Sequence, residues 1–187
     1  MPTRRPIPLI CALIAAAAAG GQAGCARTRI DKGLDTGYEA GDITRDVAFW
    51  HRLPERSALT NDEGIHGLLS VVLGNDPAKS YAERVKLAKE KKLLPEGFDE
   101  PFNATMTRGT LAYALAKYVG AEGGVMMRLS GGAGRYAVRE LSFLGILPEG
   151  STENQVITGL DYIGVISKAQ DYVAVRGTGF EPLQKDR

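Results

Sequence analysis

The chain has 187 residues, of which 44% are hydrophobic and 24% are charged, a balance typical of a folded protein with one or two small domains. Its 23 Lys and Arg residues are nearly matched by 22 Asp and Glu residues, so it has no basic excess of the kind that neutralises nucleic-acid phosphates. Two cysteines are too few for a disulfide scaffold. These numbers disfavour a nucleic-acid binder and a disulfide-rich domain, and no stretch of the sequence predicts a membrane-spanning protein.

The first 24 residues have the composition of an export signal. Arg4 and Arg5 supply a basic start, and residues 7–19 form an uncharged, mostly apolar run of 13 residues. Such a run is too short to cross a hydrocarbon core of about 30 Å as a helix. Its length is typical of the apolar region of a signal peptide, so we predict that residues 1–24 are removed on export.

A cysteine, Cys25, follows the small residues Ala23 and Gly24 at the end of this signal. The arrangement resembles the lipobox of bacterial lipoproteins, in which the cysteine after a small residue becomes lipidated. The resemblance implies that Cys25 carries a lipid that anchors the chain to a membrane. Two alternatives stay open, namely ordinary secretion with cleavage after Ala23 and an incidental cysteine at this position.

Removal of the signal leaves 21 basic and 22 acidic residues, and Cys25 is then the one cysteine of the mature chain. An intramolecular disulfide is therefore excluded, and the fold depends on its core. Residues 25–44 contain three glycines, scattered charges and few large apolar side chains. This composition predicts a flexible tether between the lipid anchor and the folded domain.

A two-helix unit recurs three times, with loose similarity between the copies, over residues 45–175. The clearest pair covers residues 81–97 and 136–150, which both begin with Tyr-Ala and both end with Leu-Pro-Glu-Gly. Proline cannot continue a helix and glycine accommodates the turn, so this ending predicts where each first helix stops. Residues 50–54 form an earlier, degenerate copy with a Leu-Pro ending.

A threonine follows in each copy, at a position suited to capping a second helix: Thr60, Thr107 and Thr158. Thr60 and Glu63 have the spacing of a capping box, in which each side chain accepts from the other residue's backbone N–H. Apolar residues then recur at helical spacing, which predicts a buried face made of Ile65, Leu68, Leu69, Val72 and Leu73. The β-branched residues within 162–166 make a short strand the alternative after Thr158.

These elements predict an all-α fold in which three helix-loop-helix repeats pack into one domain over residues 45–175, followed by a tail over 176–187. Asp76 and Pro77 are predicted to open the helix that runs through Lys92, as the cap and the first helical residue. The glycine-rich stretch 120–134 is predicted to be a long connector between the second and third copies.

With these residues in view, the region 50–172 resembles the S-layer homology (SLH) domain of bacterial envelope proteins. The middle copy carries the resemblance best, with Leu-Leu-Pro-Glu-Gly-Phe at residues 93–98 and Met-Thr-Arg-Gly at residues 106–109. The resemblance implies three repeats around a pseudo-threefold axis that hold cell-wall polysaccharide in the grooves between them. It also implies that Arg108 faces such a groove, with Thr107 orienting the start of its helix.

The sequence contains little that indicates catalysis or metal binding. His51 and His66 lack metal-ligand spacing, and we predict that both pack against helix faces. The glycine run 130–134 before a helix suits either an anion site or a linker, and the basic run 86–92 suits a solvated helix face. Four acidic residues are predicted to cap or begin helices: Asp62, Glu63, Glu140 and Asp161.

The sequence therefore predicts an exported cell-envelope lipoprotein that acts as a binding or structural module without catalysis, metal or cofactor. Its expected partners are a cell-wall glycan or another envelope protein, and a membrane through the lipid on Cys25. The expected ligand contacts are Thr107 and Arg108. The alternatives are a small periplasmic hydrolase that uses acidic groove residues and a purely architectural module for protein partners.

Overall fold

The computed structural model describes residues 27–38, 43–121 and 134–177. These residues form, in chain order, α1 (Ile43–Arg52), a 3-10 helix (Leu53–Glu55), α2 (Asn61–Leu73), α3 (Tyr81–Glu90), α4 (Arg108–Tyr118), α5 (Gly134–Phe143) and α6 (Gly159–Gly177). The described residues contain three isolated antiparallel β-bridges and no β-strand. The predicted all-α class is confirmed, and the alternative of a strand at 162–166 is wrong because α6 runs through it.

Several predicted segments lie outside the described residues. They are the export signal over 1–24, Cys25, most of the glycine-rich connector and residues 178–187 of the tail. The tail was predicted to begin at 176, but α6 continues to Gly177. Among the helices of the described ranges, none combines the length and the apolar character that a membrane span requires.

Threonine caps begin three of the helices, as predicted. Thr60 and Glu63 form the complete capping box at α2: the Thr60 hydroxyl accepts from the Glu63 N–H at 3.1 Å, and the Glu63 carboxylate accepts from the Thr60 N–H at 2.6 Å. Thr107 accepts from the N–H of Thr110 at α4, and Thr158 accepts from the N–H at position 161 at α6. Each hydroxyl therefore satisfies an N–H that the first helical turn leaves unpaired.

The start of α3 differs from the prediction. Ser80, rather than Asp76, is the N-cap, and its hydroxyl accepts from the N–H of Glu83 at 3.2 Å. Asp76 is instead drawn into a buried ionic cluster described below, where it accepts from the N–H of Ala78 at 3.1 Å. Contacts with other helices therefore outweigh the local Asp-Pro signal.

The chain leaves α3 and α5 through the same pattern of backbone hydrogen bonds. The Ala88 carbonyl accepts from the N–H groups of Leu93 and Leu94, and the Leu141 carbonyl accepts from those at positions 146 and 147. A residue with positive φ precedes each pair, Lys92 at 59° and Gly145 at 73°. The two Leu-Pro-Glu-Gly segments thus follow equivalent turns that bury their leucines.

The residues just before the three threonines form a closed ring of backbone hydrogen bonds. The Leu59 N–H donates to the Ile157 carbonyl at 3.0 Å, the Met106 N–H donates to the Leu59 carbonyl at 2.8 Å, and the Ile157 N–H donates to the Met106 carbonyl at 3.4 Å. All three side chains are completely buried. The starts of α2, α4 and α6 are therefore joined in a cycle.

Helix packing follows the same cyclic order around this ring. α2 packs on α3, α4 packs on α5, and α6 packs on the 3-10 helix that ends α1; α4 also contacts α2 and α6. Glycines allow the close approach in the centre: a Cβ at Gly64 would collide with the Met106 side chain, and the Tyr162 hydroxyl donates to the Gly64 carbonyl at 2.7 Å. α2, α4 and α6 thus meet at the centre, and the other helices add buried residues to the same core, among them Phe49, Ala88 and Leu141.

Candidate functional site

The first described residues, 27–38, lie against the helical body and are called the N-terminal segment here. A β-bridge joins Arg29 to Ala104. Next to it, the Ile30 N–H donates to the Asn103 carbonyl at 2.9 Å. The segment therefore pairs with the loop that precedes α4.

The N-terminal segment also reaches the start of α2. The Leu34 N–H donates to the Glu63 carboxylate at 2.7 Å, and the Thr36 hydroxyl donates to the Asp62 carboxylate at 2.9 Å. Thr36 is 6% exposed. The first-turn acids of α2 therefore serve as acceptors for a distant piece of chain as well as for their own helix.

This arrangement differs from the flexible tether predicted over 25–44. Composition alone suggested a solvated coil, because the segment has few large apolar residues. Its partners are hydrogen-bond acceptors that lie 26 and 29 residues further along the chain, which local composition does not reveal. Residues 27–38 thus belong to the folded body.

A fully buried arginine, Arg84 of α3, lies beneath the N-terminal segment. Its guanidinium pairs with the carboxylates of Asp62 and Asp76, the latter at 2.6 Å, and donates to the Gly37 carbonyl at 3.0 Å. The Tyr38 ring lies 4.7 Å from the guanidinium carbon. Sequence reasoning missed Arg84, although its place four residues before the buried Ala88 puts it on the inner face of the helix.

His66 of α2 completes what we call the Arg84 cluster (Asp62, His66, Asp76 and Arg84). Its Nδ1 lies 2.8 Å from Asp76 Oδ2, and its Nε2 lies 3.8 Å from the carboxylate of Asp46. The ring also packs edge-on against Phe49, with 4.6 Å between centroids. The predicted packing role of His66 is thus accompanied by a hydrogen bond to Asp76, whereas His51, which was also predicted to pack against a helix face, is exposed.

The pKa of Asp76 shows that this cluster favours the ionised carboxylate. Burial acts to raise the pKa of Asp76, but the hydrogen bond with His66, the positive charge of Arg84 and the Ala78 N–H together lower it below its ordinary value of 3.8. Burial and the neighbouring Asp62 charge raise the pKa of Tyr38, which keeps its hydroxyl a donor to Asp62 at 3.2 Å. The cluster therefore joins α2, α3 and the N-terminal segment electrostatically.

A pH dependence of stability follows for Asp76. Because its folded-state pKa is lowered, its stabilising contribution is present above pH 3.8 and is lost as the pH falls through the folded-state value. We expect Asp76→Asn to reduce the slope of unfolding free energy against pH below about pH 4, measured by urea titration. An unchanged slope in Asp76→Asn would contradict this assignment.

A groove of about 470 Å³ lies at the start of α4 and is called the α4 groove here. It is lined by the loop 95–100, the first turns of α4, and residues Glu153 and Asn154 of the loop before α6, together with Arg27 and Gly134. The Gly109 N–H donates to the Glu153 carbonyl at 2.9 Å, which holds the two sides together. The groove therefore lies between the second and third predicted copies.

Of the two predicted ligand contacts, Thr107 lines the α4 groove and Arg108 does not. Arg108 donates to the Ser151 hydroxyl at 2.8 Å and to the Asp161 carboxylate at 2.9 Å, and its side chain is 12% exposed. The expected groove-facing role is therefore replaced by a positioning one. Arg108 ties α4 to α6 and to the loop that forms one groove wall.

The polar groups of the α4 groove include several that sequence reasoning did not single out. Tyr113 stands one turn into α4 with Lys117 Nζ 5.7 Å from its ring, and burial together with the Glu96 charge raises the pKa of its hydroxyl. Glu100 is paired with Arg27 at 3.1 Å. The groove therefore combines a phenol ring, hydroxyls and a charge pair with apolar surface from residues such as Pro95 and Phe98.

The remaining predicted features have simpler outcomes. Asp62, Glu63 and Asp161 lie in first turns as predicted, whereas Glu140 lies in the second half of α5, so its predicted capping role is wrong. Lys86 is 78% exposed and lies 3.9 Å from Glu90, as a solvated face requires.

Within the described ranges, no group of three or more His, Cys, Asp and Glu residues has the geometry to hold a metal ion.

No protein-family model matches this sequence, and neither a curated protein nor a solved structure is significantly similar to it.

Proposed function

We propose that this chain is an exported, lipid-anchored module of the bacterial cell envelope that binds a wall polysaccharide in the α4 groove without catalysis. The observation that carries the proposal is the ring of hydrogen bonds formed by Leu59, Met106 and Ile157. A cycle of three equivalent helix starts is the arrangement that the resemblance to SLH modules implies. The proposal therefore interprets α2, α4 and α6 as the second helices of three repeats.

The cyclic packing of the outer helices supports the same interpretation. Each of the three Thr-capped helices packs against the first helix of the following copy, with the 3-10 end of α1 following α6. The shared turns after α3 and α5 add a second, independent likeness between copies. Such repeats leave grooves between neighbouring units, and the α4 groove is one of these.

The chemistry of the α4 groove suits a sugar polymer. Tyr113 offers an aromatic face with a hydroxyl, while Thr110 and Asn154 offer neutral hydrogen-bonding groups. The Glu100 carboxylate, which also lines the groove, is paired with the Arg27 guanidinium, so the groove wall carries a charge pair there rather than an isolated charge. Arg108 positions the opposite wall through Ser151.

The lipid anchor in this proposal comes from the sequence alone. The basic start, the apolar run and the small residues before Cys25 support export followed by lipidation. The anchor would hold the module at a membrane surface within the envelope, where wall polymers are accessible.

Sedimentation of the mature protein with purified peptidoglycan sacculi tests the binding role. We expect the wild type to pellet and Tyr113→Ala to bind about tenfold more weakly, because the substitution removes an aromatic ring that lines the groove. Tyr172→Ala is the matched control, since Tyr172 also lies one turn before a cation on a Thr-capped helix but does not line the groove.

Absence of pelleting, or equal pelleting of the Tyr113→Ala variant and the wild type, would contradict polysaccharide binding in this groove. Release of soluble sugar fragments during the incubation would instead support the hydrolase alternative.

A further inference from the structure

The folded body begins two residues after the proposed lipid anchor. Arg27 is already held by its ion pair with Glu100, at 3.1 Å, and Cys25 precedes it by two positions. Two residues of extended chain span at most about 7 Å. The body therefore has no long tether between itself and the membrane.

An exposed aromatic ring lies close to this point of attachment. Phe102 is 56% exposed and follows Glu100 by two residues, and its ring touches Tyr81 edge-on with 6.2 Å between centroids. The neighbouring Asn103 carbonyl accepts from the N–H of Ile30 in the N-terminal segment. The exposed Phe102 and Arg29 thus lie beside the two chain segments that this hydrogen bond joins, and we call these two residues the anchor face.

We propose that the anchor face lies against the lipid surface to which Cys25 is attached, with Phe102 at the level of the headgroups. This inference rests on the proposed lipidation of Cys25. A two-residue link holds the face at the membrane with a high effective concentration, which adds to the affinity of the exposed Phe102 ring for the lipid surface. Aromatic rings are favoured at membrane interfaces, and the Arg29 guanidinium is able to donate to lipid phosphates.

The experiment uses the full lipidated protein in phosphatidylethanolamine and phosphatidylglycerol vesicles whose acyl chains carry bromine, a quencher of tryptophan fluorescence. Trp50 is replaced by phenylalanine, and a single reporter is introduced as Phe102→Trp. The matched control is Phe143→Trp, because Phe143 is also exposed, at 72%, and lies at the end of α5. Circular dichroism verifies that both variants fold.

We expect the reporter at position 102 to be quenched and shifted to shorter wavelength on reconstitution, and the reporter at 143 to be unaffected. A Gly-Ser spacer of about 12 residues inserted before Arg27, which spans about 20 Å as a flexible coil, should abolish most of the quenching. Equal quenching with and without the spacer overturns the role assigned to the short link.

Mass spectrometry of the N-terminal peptide separates this inference from the proposed function. A lipid on Cys25 without quenching at position 102, or with equal quenching at 143, overturns the anchor face and leaves the anchor itself in place. A chain that carries no lipid overturns both.

Discussion

Replacement of Arg84 by methionine is expected to destabilise the protein by about 3–5 kcal/mol, because the carboxylates of Asp62 and Asp76 would stay buried without their cation. Folded domains have only about 5–15 kcal/mol of stability, so this single change removes a large part of it. The loss is measurable as a decrease in the urea midpoint without a change in slope.

A neighbouring lysine provides the control for Arg84. Lys86→Met, on the same helix with a side chain 78% exposed, should change the unfolding free energy by less than about 0.5 kcal/mol. The double variant Arg84→Met with Asp62→Asn should be less destabilised than Arg84→Met alone, because one of the unpaired buried charges is removed with the guanidinium. A double variant that is less stable than the single one would show that lost packing, rather than unpaired charge, dominates.

The second large effect is expected at Gly159, where α6 begins. Its N–H donates to the Arg56 carbonyl at 2.8 Å, and a Cβ at this position would collide with the Leu53 carbonyl of the 3-10 helix. The obstruction is backbone, which cannot rotate away as a side chain does. We expect Gly159→Ala to destabilise the protein by about 3 kcal/mol, measured by thermal and urea unfolding.

Gly164 is the matched control within the same helix. Nothing lies within 4 Å of a Cβ built there, so Gly164→Ala should gain helix propensity and stabilise the protein by about 0.5–1 kcal/mol. The two glycine-to-alanine changes should therefore have opposite signs. Equal effects would mean that α6 shifts freely against the 3-10 helix, contrary to the close backbone contact between Gly159 and the Leu53 carbonyl.

The candidate site was only partly predictable. Thr107 was identified correctly as a helix cap, because capping is a local property of three or four consecutive residues, whereas its role as a ligand contact stays a prediction. Arg108 was assigned to the groove through the resemblance to SLH domains, but Asp161, which lies 53 residues away, draws its guanidinium to α6. Tyr113 was not singled out, because only the packed loops on either side turn its surroundings into a groove.

The N-terminal segment likewise depends on partners that its local sequence does not reveal. Its polar composition predicted a flexible tether, yet its N–H groups and hydroxyls are satisfied by Glu63, Asp62 and Asn103. A short polar segment carries no signal of its own for such partners. Their positions become defined only when α2 and the loop before α4 have folded.

By itself, the sequence determined the all-α class, the three threonine-capped helix starts and part of the buried face of α2, in which Ile65, Leu68 and Leu69 are buried but Val72 and Leu73 are only partly so. These depend on interactions within one helical turn or on the period of apolar residues, and both are written locally in the chain. Tertiary structure alone decided that Arg84 would be buried between two carboxylates and that Leu59, Met106 and Ile157 would close a ring. Each of those contacts joins residues far apart in sequence, whose approach is driven by burial of the common core rather than by any local preference.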